Sequence, residues 1–294
     1  MVKIVTLPAN SRKGMRFMQK RRLILVIGAL FPLLCGVGFM TAHTAAQSVN
    51  DGYKLVFSDE FNLPDGSQPD PAIWSRKPRN NDQCNRWNSE SPDVVFIRNG
   101  VLVCRAIPNH SEHSDTAKML TGSIWTFNKY NVKYGRIEVR MRTNTQRGNF
   151  PAAWLKWQPK DWNTDPYAEI DIVEMFGDRG ISFHAAHSQL TVSNSNHSEP
   201  NTYRNPLDVS QWHVYSLEWT PTRLVWSVDG KQLFTYKKSS RKRLLRRGQW
   251  TFDVPCYIVL NQSLGDGHYK DMVPNLTSTY ETQFDWIRIY KKGE

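Results

Sequence analysis

Glu169-Ile170-Asp171-Ile172-Val173-Glu174-Met175-Phe176-Gly177 puts three acids within six residues of an otherwise apolar stretch. The apolar β-branched residues mark a strand. In a regular strand residues two apart share a face, so Glu169 and Asp171 point together while Glu174, five along, points away. One extra residue at Ile172-Val173, a β-bulge, returns Glu174 to their side. All three acids then look into one groove, with the Ile and Val side chains packed behind. The two glutamates would stand roughly 13 Å apart at Cα, and side chains leaning together would bring their carboxyls to about 5–6 Å. That separation suits a nucleophile and a proton donor on one sugar bond. The plainer account is a solvent-facing strand with salt bridges to its neighbours. Apolar flanks and three clustered like charges weigh against it, because such clustering is costly without a function.

The rest of the chain also reads as strands. Gly135 to Arg142 alternates, with Ile137, Val139 and Met141 on one face, and Trp212 to Trp219 does the same. Leu224 to Tyr236 predicts a hairpin around Asp229-Gly230, a dipeptide that accepts the positive φ values of a tight turn. Tyr257 to Leu260 and Phe284 to Tyr290 supply further strands. Helical periodicity is scarce, and strands do not alternate with helices, so a two-sheet sandwich in a single domain from about residue 48 to 294 is expected.

Composition bounds the function. The 294 residues are 39% hydrophobic and 12% aromatic with 11 Trp, enough for a large core, and indole faces also stack on sugar rings. The net charge of +11 does not describe the folded body. Seven Lys and Arg lie in residues 1–46, which contain no acid, and seven more lie between Lys237 and Arg247; removing both sevens takes +11 to −3. No nucleic-acid partner is expected. The Lys237–Arg247 run reads as a solvated loop rather than a grip on anionic polysaccharide. Lys20-Arg21-Arg22, the apolar run Leu23 to Met40 and the small residues Thr41 to Ala46 read as an export signal over residues 1–46. Gly28, Pro32, Gly36 and Gly38 weaken the run as an anchor, so no stable membrane span is expected and the product is placed outside the cell, in the periplasm or at the cell surface. Cys84, Cys104 and Cys256 remain, an odd number; Cys104 and Cys256 sit in apolar runs and read as buried thiols.

EIDIVE matches the bulged E-x-D-x-x-E signature of glycoside hydrolase family 16, which includes laminarinases, agarases, carrageenases and endo-β-galactosidases. Tyr53 to Phe61, Tyr134 to Arg140, Asn149 to Leu155, Trp212 to Trp219 and Asp285 to Tyr290 resemble further stretches of that family. The resemblance implies a concanavalin-like jelly-roll β-sandwich of two curved antiparallel sheets. It also implies a retaining, endo-acting enzyme with Glu169 as nucleophile, Asp171 as its helper and Glu174 as acid/base. Trp154, Trp157, Trp125, Arg86, Trp87, His187 and Gln262 are the expected groove residues, with His187 preferred to His184 for a sugar hydroxyl. No cofactor is required for the reaction; a structural Ca²⁺ on the convex side, held by Asp285 and backbone oxygens near Glu60 and Gly100, is the implied metal. Phe150 and Ala153 stand where many laminarinases carry Trp and Phe, so both β-1,3-glucan and β-galactosyl bonds of mucin-type glycans are kept as substrates. A monomer is expected. The competing function is a lectin-like binding module, which has no need of all three acids.

Overall fold

The computed structural model describes residues 52–81, 85–111, 114–161, 163–193, 200–267 and 270–293. The export segment expected at 1–46 and Cys84 lie outside them. The first strands are β1 (Tyr53–Asp59), β2 (Ser75–Arg76), β3 (Val95–Arg98), β4 (Val101–Pro108) and β5 (Met119–Trp125). The middle ones are β6 (Gly135–Thr143), β7 (Asn149–Trp157), β8 (Ala168–Met175), β9 (Ile181–Ser188) and β10 (Thr202–Pro206). The last are β11 (His213–Trp219), β12 (Arg223–Val228), β13 (Lys231–Lys237), β14 (Cys256–Leu264) and β15 (Tyr280–Lys292).

All pair antiparallel in the order β10-β9-β8-β7-β14-β5-β4-β15-β6-β11-β12-β13, with β1 on β15, β2 on β5 and β3 on β4. The path folds into two layers, and β5 passes from one to the other. Its residues Gly122–Trp125 pair with β14, and its residues Met119–Thr121 pair with β4. Gly122 sits at that passage, where a Cβ would lie 2.0 Å from the Val94 carbonyl oxygen, so no larger residue fits without moving the backbone.

The expected hairpin forms: β12 and β13 are joined at Asp229 (φ 49°) and Gly230 (φ 77°). Along β6 the residues alternate between buried and half-buried, as the sequence pattern implies. Ile137, Val139, Leu217 and Trp226 from one layer meet Leu155, Ile170, Ile172 and Ile258 from the other in a continuous core. Burying apolar side chains at ~25 cal/mol per Å² drives this packing. Cys104 and Cys256 are free buried thiols, in agreement with the sequence reading. No described helix is long and apolar enough to cross a membrane.

Candidate active site

The deciding irregularity lies in β8. Asp171 pairs with Ala185 of β9 and Glu174 with Phe183, so Ile172 and Val173 together face the single residue His184. On the other flank Trp154 of β7 pairs with Asp171 and Ala153 with Val173, which leaves Ile172 as the inserted residue. Ile172 and Val173 are both fully buried in the core.

A bulge frees backbone groups that the ladder would have paired, and buried carbonyls need donors. Two side chains supply them here. Trp226 Nε1 of the opposite layer donates to the Asp171 carbonyl at 2.8 Å. His184 Nδ1 donates to the Ile172 carbonyl at 2.7 Å. His184 Nε2 then accepts from the Ser182 hydroxyl at 3.1 Å, and burial holds the ring's pKa down at about 4, so it stays neutral. His184 is therefore a brace for the bulge.

Residues paired across antiparallel strands share a face, so the register lays out the groove in rows. Tyr257, Lys156, Glu169 and His187 form one row over β14, β7, β8 and β9. Trp125, Val259, Trp154, Asp171, Ala185 and Thr202 form the next, from β5 to β10. Asn261, Ala152, Glu174, Phe183 and Arg204 form the third. Each row carries one of the three acids. All three acids line one pocket of about 210 Å³, together with Asn85, Phe150, Trp154, Lys156, Tyr167 and Asn261. A second pocket of about 570 Å³ opens on the β9–β10 side; it shares Glu174 but not Glu169 or Asp171.

The acids differ in surroundings. Glu169 receives the Tyr167 hydroxyl at 2.6 Å and faces Lys156 Nζ at 3.4 Å. Asp171 is pushed up to about 6 by burial, with the Glu169 charge adding to the rise and the His187 hydrogen bond opposing it. Glu174 is raised well above the carboxylate range by burial and then by the charge of Asp171. His187 Nε2 donates to Asp171 Oδ2 at 3.1 Å. Burial alone would lower the His187 pKa, but Asp171, Glu169 and Glu174 outweigh it and hold it up at about 9. A tyrosine hydroxyl and a lysine on Glu169 and a raised proton affinity on Glu174 make the two glutamates chemically unlike.

Residues 105–287 match the family profile described as Glycosyl hydrolases family 16. The chain belongs to glycosyl hydrolase family 16. It is 28% identical over 243 residues to a keratan-sulfate endo-1,4-β-galactosidase of Sphingobacterium multivorum, covering 81% of this chain and 55% of that protein. It is 24% identical over 294 residues to a β-glucanase of Rhodothermus marinus, covering 94% of this chain and 98% of that one. The fold superposes on the crystal structure of a non-specific endo-β-1,3(4)-glucanase of family 16 with a TM-score of 0.70 at 26% identity, over 83% of this chain and 92% of that one. The chain thus spans little more than half of the first of these relatives.

The family resemblance also nominated groove residues, and the structure sorts them. Trp154 and Trp125 lie on the groove face, with Trp154 Nε1 donating to Asn261 Oδ1 at 2.8 Å. His187 is there too. Trp157 and Gln262 are not, because each is one residue out of phase on its strand. Trp157 belongs to the core and backs Tyr167, ring centroids 4.6 Å apart. Gln262 is fully buried, donating to Asn149 Oδ1 at 2.8 Å and accepting from Thr282 Oγ1 at 2.6 Å. Their neighbours Lys156 and Asn261 take the groove positions. Arg86 and Trp87 stack on each other at 4.0 Å, and Arg86 donates to the Gly265 carbonyl at 2.7 Å; Asn85 beside them is the pocket residue. Tyr167 and Lys156 were readable only as same-face neighbours, two residues from Glu169 and two from Trp154, while Asn261 enters through its pairing with Ala152.

Asp285 is ion-paired with Arg140, and Glu60 with Arg288 at 2.8 Å. The Asp285 carboxylate expected to hold a structural Ca²⁺ thus already faces a guanidinium.

Proposed function

We propose that this chain is a secreted, endo-acting glycoside hydrolase that cleaves internal β-glycosidic bonds with retention of anomeric configuration. The observation that supports it most is the bulge at Ile172-Val173, which turns Glu174 into the pocket of Glu169 and Asp171. Glu169 attacks the anomeric carbon as the C–O bond breaks, and Glu174 gives its proton to the departing oxygen. Water then attacks the glycosyl-enzyme while Glu174 takes a proton back, and the Glu169 carboxylate is released. Asp171, between them and bonded to His187, keeps negative charge near Glu174 and so sustains its proton affinity. Trp154 presents an indole face to the sugar on the Glu169 side.

The relatives support two substrate classes: β-glucan, from the glucanases, and β-galactosyl bonds, from the keratan-sulfate endo-1,4-β-galactosidase, with mucin-type chains as the proposed carriers of the second. Phe150 lines the pocket and stacks on Phe176 with centroids 4.8 Å apart, which gives this wall a phenyl surface. Mass analysis of products from laminarin, lichenan, agarose, carrageenan and mucin glycans separates the two. Internal fragments are expected, and proton NMR of the first-formed product should show the β anomer. Release of the α anomer, or no cleavage of any member of the panel, would overturn the reading.

A further inference from the structure

The third row of the groove ends in a cation. Glu174 on β8 pairs with Phe183 on β9, and Phe183 pairs with Arg204 on β10. All three side chains therefore face the groove, and Arg204 lies two strand spacings from Glu174, roughly 10 Å. The pocket there is lined by Glu174, Phe176, Arg179, Phe183, Thr202 and Arg204 among others. Its apolar wall is Phe176 edge-on to Phe183, with centroids 4.6 Å apart.

Two guanidiniums lie over Phe183, Arg204 at 5.3 Å and Arg179 at 6.0 Å. They differ in charge balance. Arg179 is neutralised by Asp271, one of its two contacts being 3.0 Å. Arg204 has no acidic partner among the described residues, is exposed, and is held in place by the ring beneath it. A guanidinium pre-positioned by stacking keeps its fork of donors free for a planar or tetrahedral oxyanion.

The position relative to the acids gives the polarity. This pocket shares Glu174 but not Glu169. A proton donor must touch the departing oxygen, so the chain beyond that oxygen runs from Glu174 toward β10. We infer that the β9–β10 arm of the cleft is an anion-reading subsite, in which Arg204 binds an acidic substituent, a sulfate ester or a carboxylate, on the leaving-group side of the cleaved bond. The aromatic wall holds the guanidinium in place, and Arg204 takes the charge. The inference rests on the proposed hydrolase reading for its polarity, and its charge recognition is testable apart from catalysis.

The experiment compares a sulfated β-galactan with its chemically desulfated form, and a carboxylated glycan with its carboxyl-reduced form. Each pair is assayed for kcat/KM with the wild type, Arg204→Gln and Arg204→Lys. Binding to the same four probes is measured by calorimetry on Glu169→Gln. The wild type is expected to favour at least one charged form by about tenfold, the scale of one charge-assisted contact. Arg204→Gln should bring that ratio near one without slowing the uncharged form, and Arg204→Lys should keep part of it. The pair that discriminates identifies the anion. Equal rates and equal binding on both members of both pairs would overturn the inference, as would an Arg204→Gln loss shared by charged and uncharged forms. If the wild type cleaves nothing but Glu169→Gln binds the charged form tenfold better, and adding Arg204→Gln removes this, the anion site stands and the hydrolase reading falls.

Discussion

The two layers of this protein use the same residue types to opposite ends. On the layer away from the groove the carboxylates are matched with arginines: Glu60 with Arg288, Asp285 with Arg140, and Glu281 with Arg98 and Arg105. Burial alone would raise Glu281, but hydrogen bonds from Gln283, Arg105 and Arg98 hold it below the ordinary range. In the groove layer Asp171 and Glu174 face other acids, one histidine and one lysine, and both are raised. A compensated acid is a structural part. An acid left among its own kind is held at a proton affinity that chemistry near neutral pH can use.

The strongest way to break that contrast is to neutralise one acid from each layer. Glu174→Gln should lower the hydrolysis rate by roughly 10²–10⁴-fold, the usual worth of general acid–base catalysis. Glu169→Gln should abolish turnover more completely, since no glycosyl-enzyme forms. Neither should lower the melting temperature much, because Glu174 already holds its proton and Glu169→Gln trades contacts with Tyr167 and Lys156 for less repulsion from Asp171. Glu281→Gln should do the reverse, leaving the rate within about twofold and lowering stability by roughly 1–3 kcal/mol as Arg98 and Arg105 lose their partner. Rates and melting curves that failed to separate the layers in this way would remove the distinction.

His184→Ala probes the bulge. It strips the donor from the buried Ile172 carbonyl, so it should cost roughly 1–3 kcal/mol of stability. It should also slow catalysis without touching substrate, because the frame that aims Glu174 loosens. Denaturant melts and kcat on the same preparation check both.

A finer test uses pH. Asp171 is raised in the folded state from 3.8 to about 6, so the folded protein holds a proton there that the unfolded chain has lost. That stability is present below about pH 4 and is lost as pH rises to about 6. Asp171→Asn should flatten this part of the melting-temperature profile, while the wild type declines across it. The His187 contribution, raised to about 9, is lost in a separate window above the ordinary histidine range. The smallest effect is expected for Arg140→Ala, which opens an ion pair with Asp285 on the far layer. It should change stability by less than about 1 kcal/mol and the rate not at all.

The acids, their spacing and the need for one extra residue were legible in nine residues of sequence, because strand alternation has a period of two and EIDIVE breaks it. The hairpin at Asp229-Gly230 was legible for the same local reason. Trp157 and Gln262 were misplaced because a residue's face depends on the register of the whole strand, and a shift of one position exchanges groove for core. Arg86 and Trp87 lie in a connection whose path follows no periodicity. Tyr167 and Lys156 carried no signal of their own.

By itself the sequence determined the class of fold, the identity of the three acids and the break that unites them, since these follow from side-chain chemistry and a repeat only two residues long. The tertiary structure decided which acids meet arginine and which meet one another, where His184 and Trp226 brace the bulge, and that Arg204 ends the row that carries Glu174. Those relations join residues far apart in the chain, and only the packing of strands into layers sets the distances, burial and charge balance on which they depend.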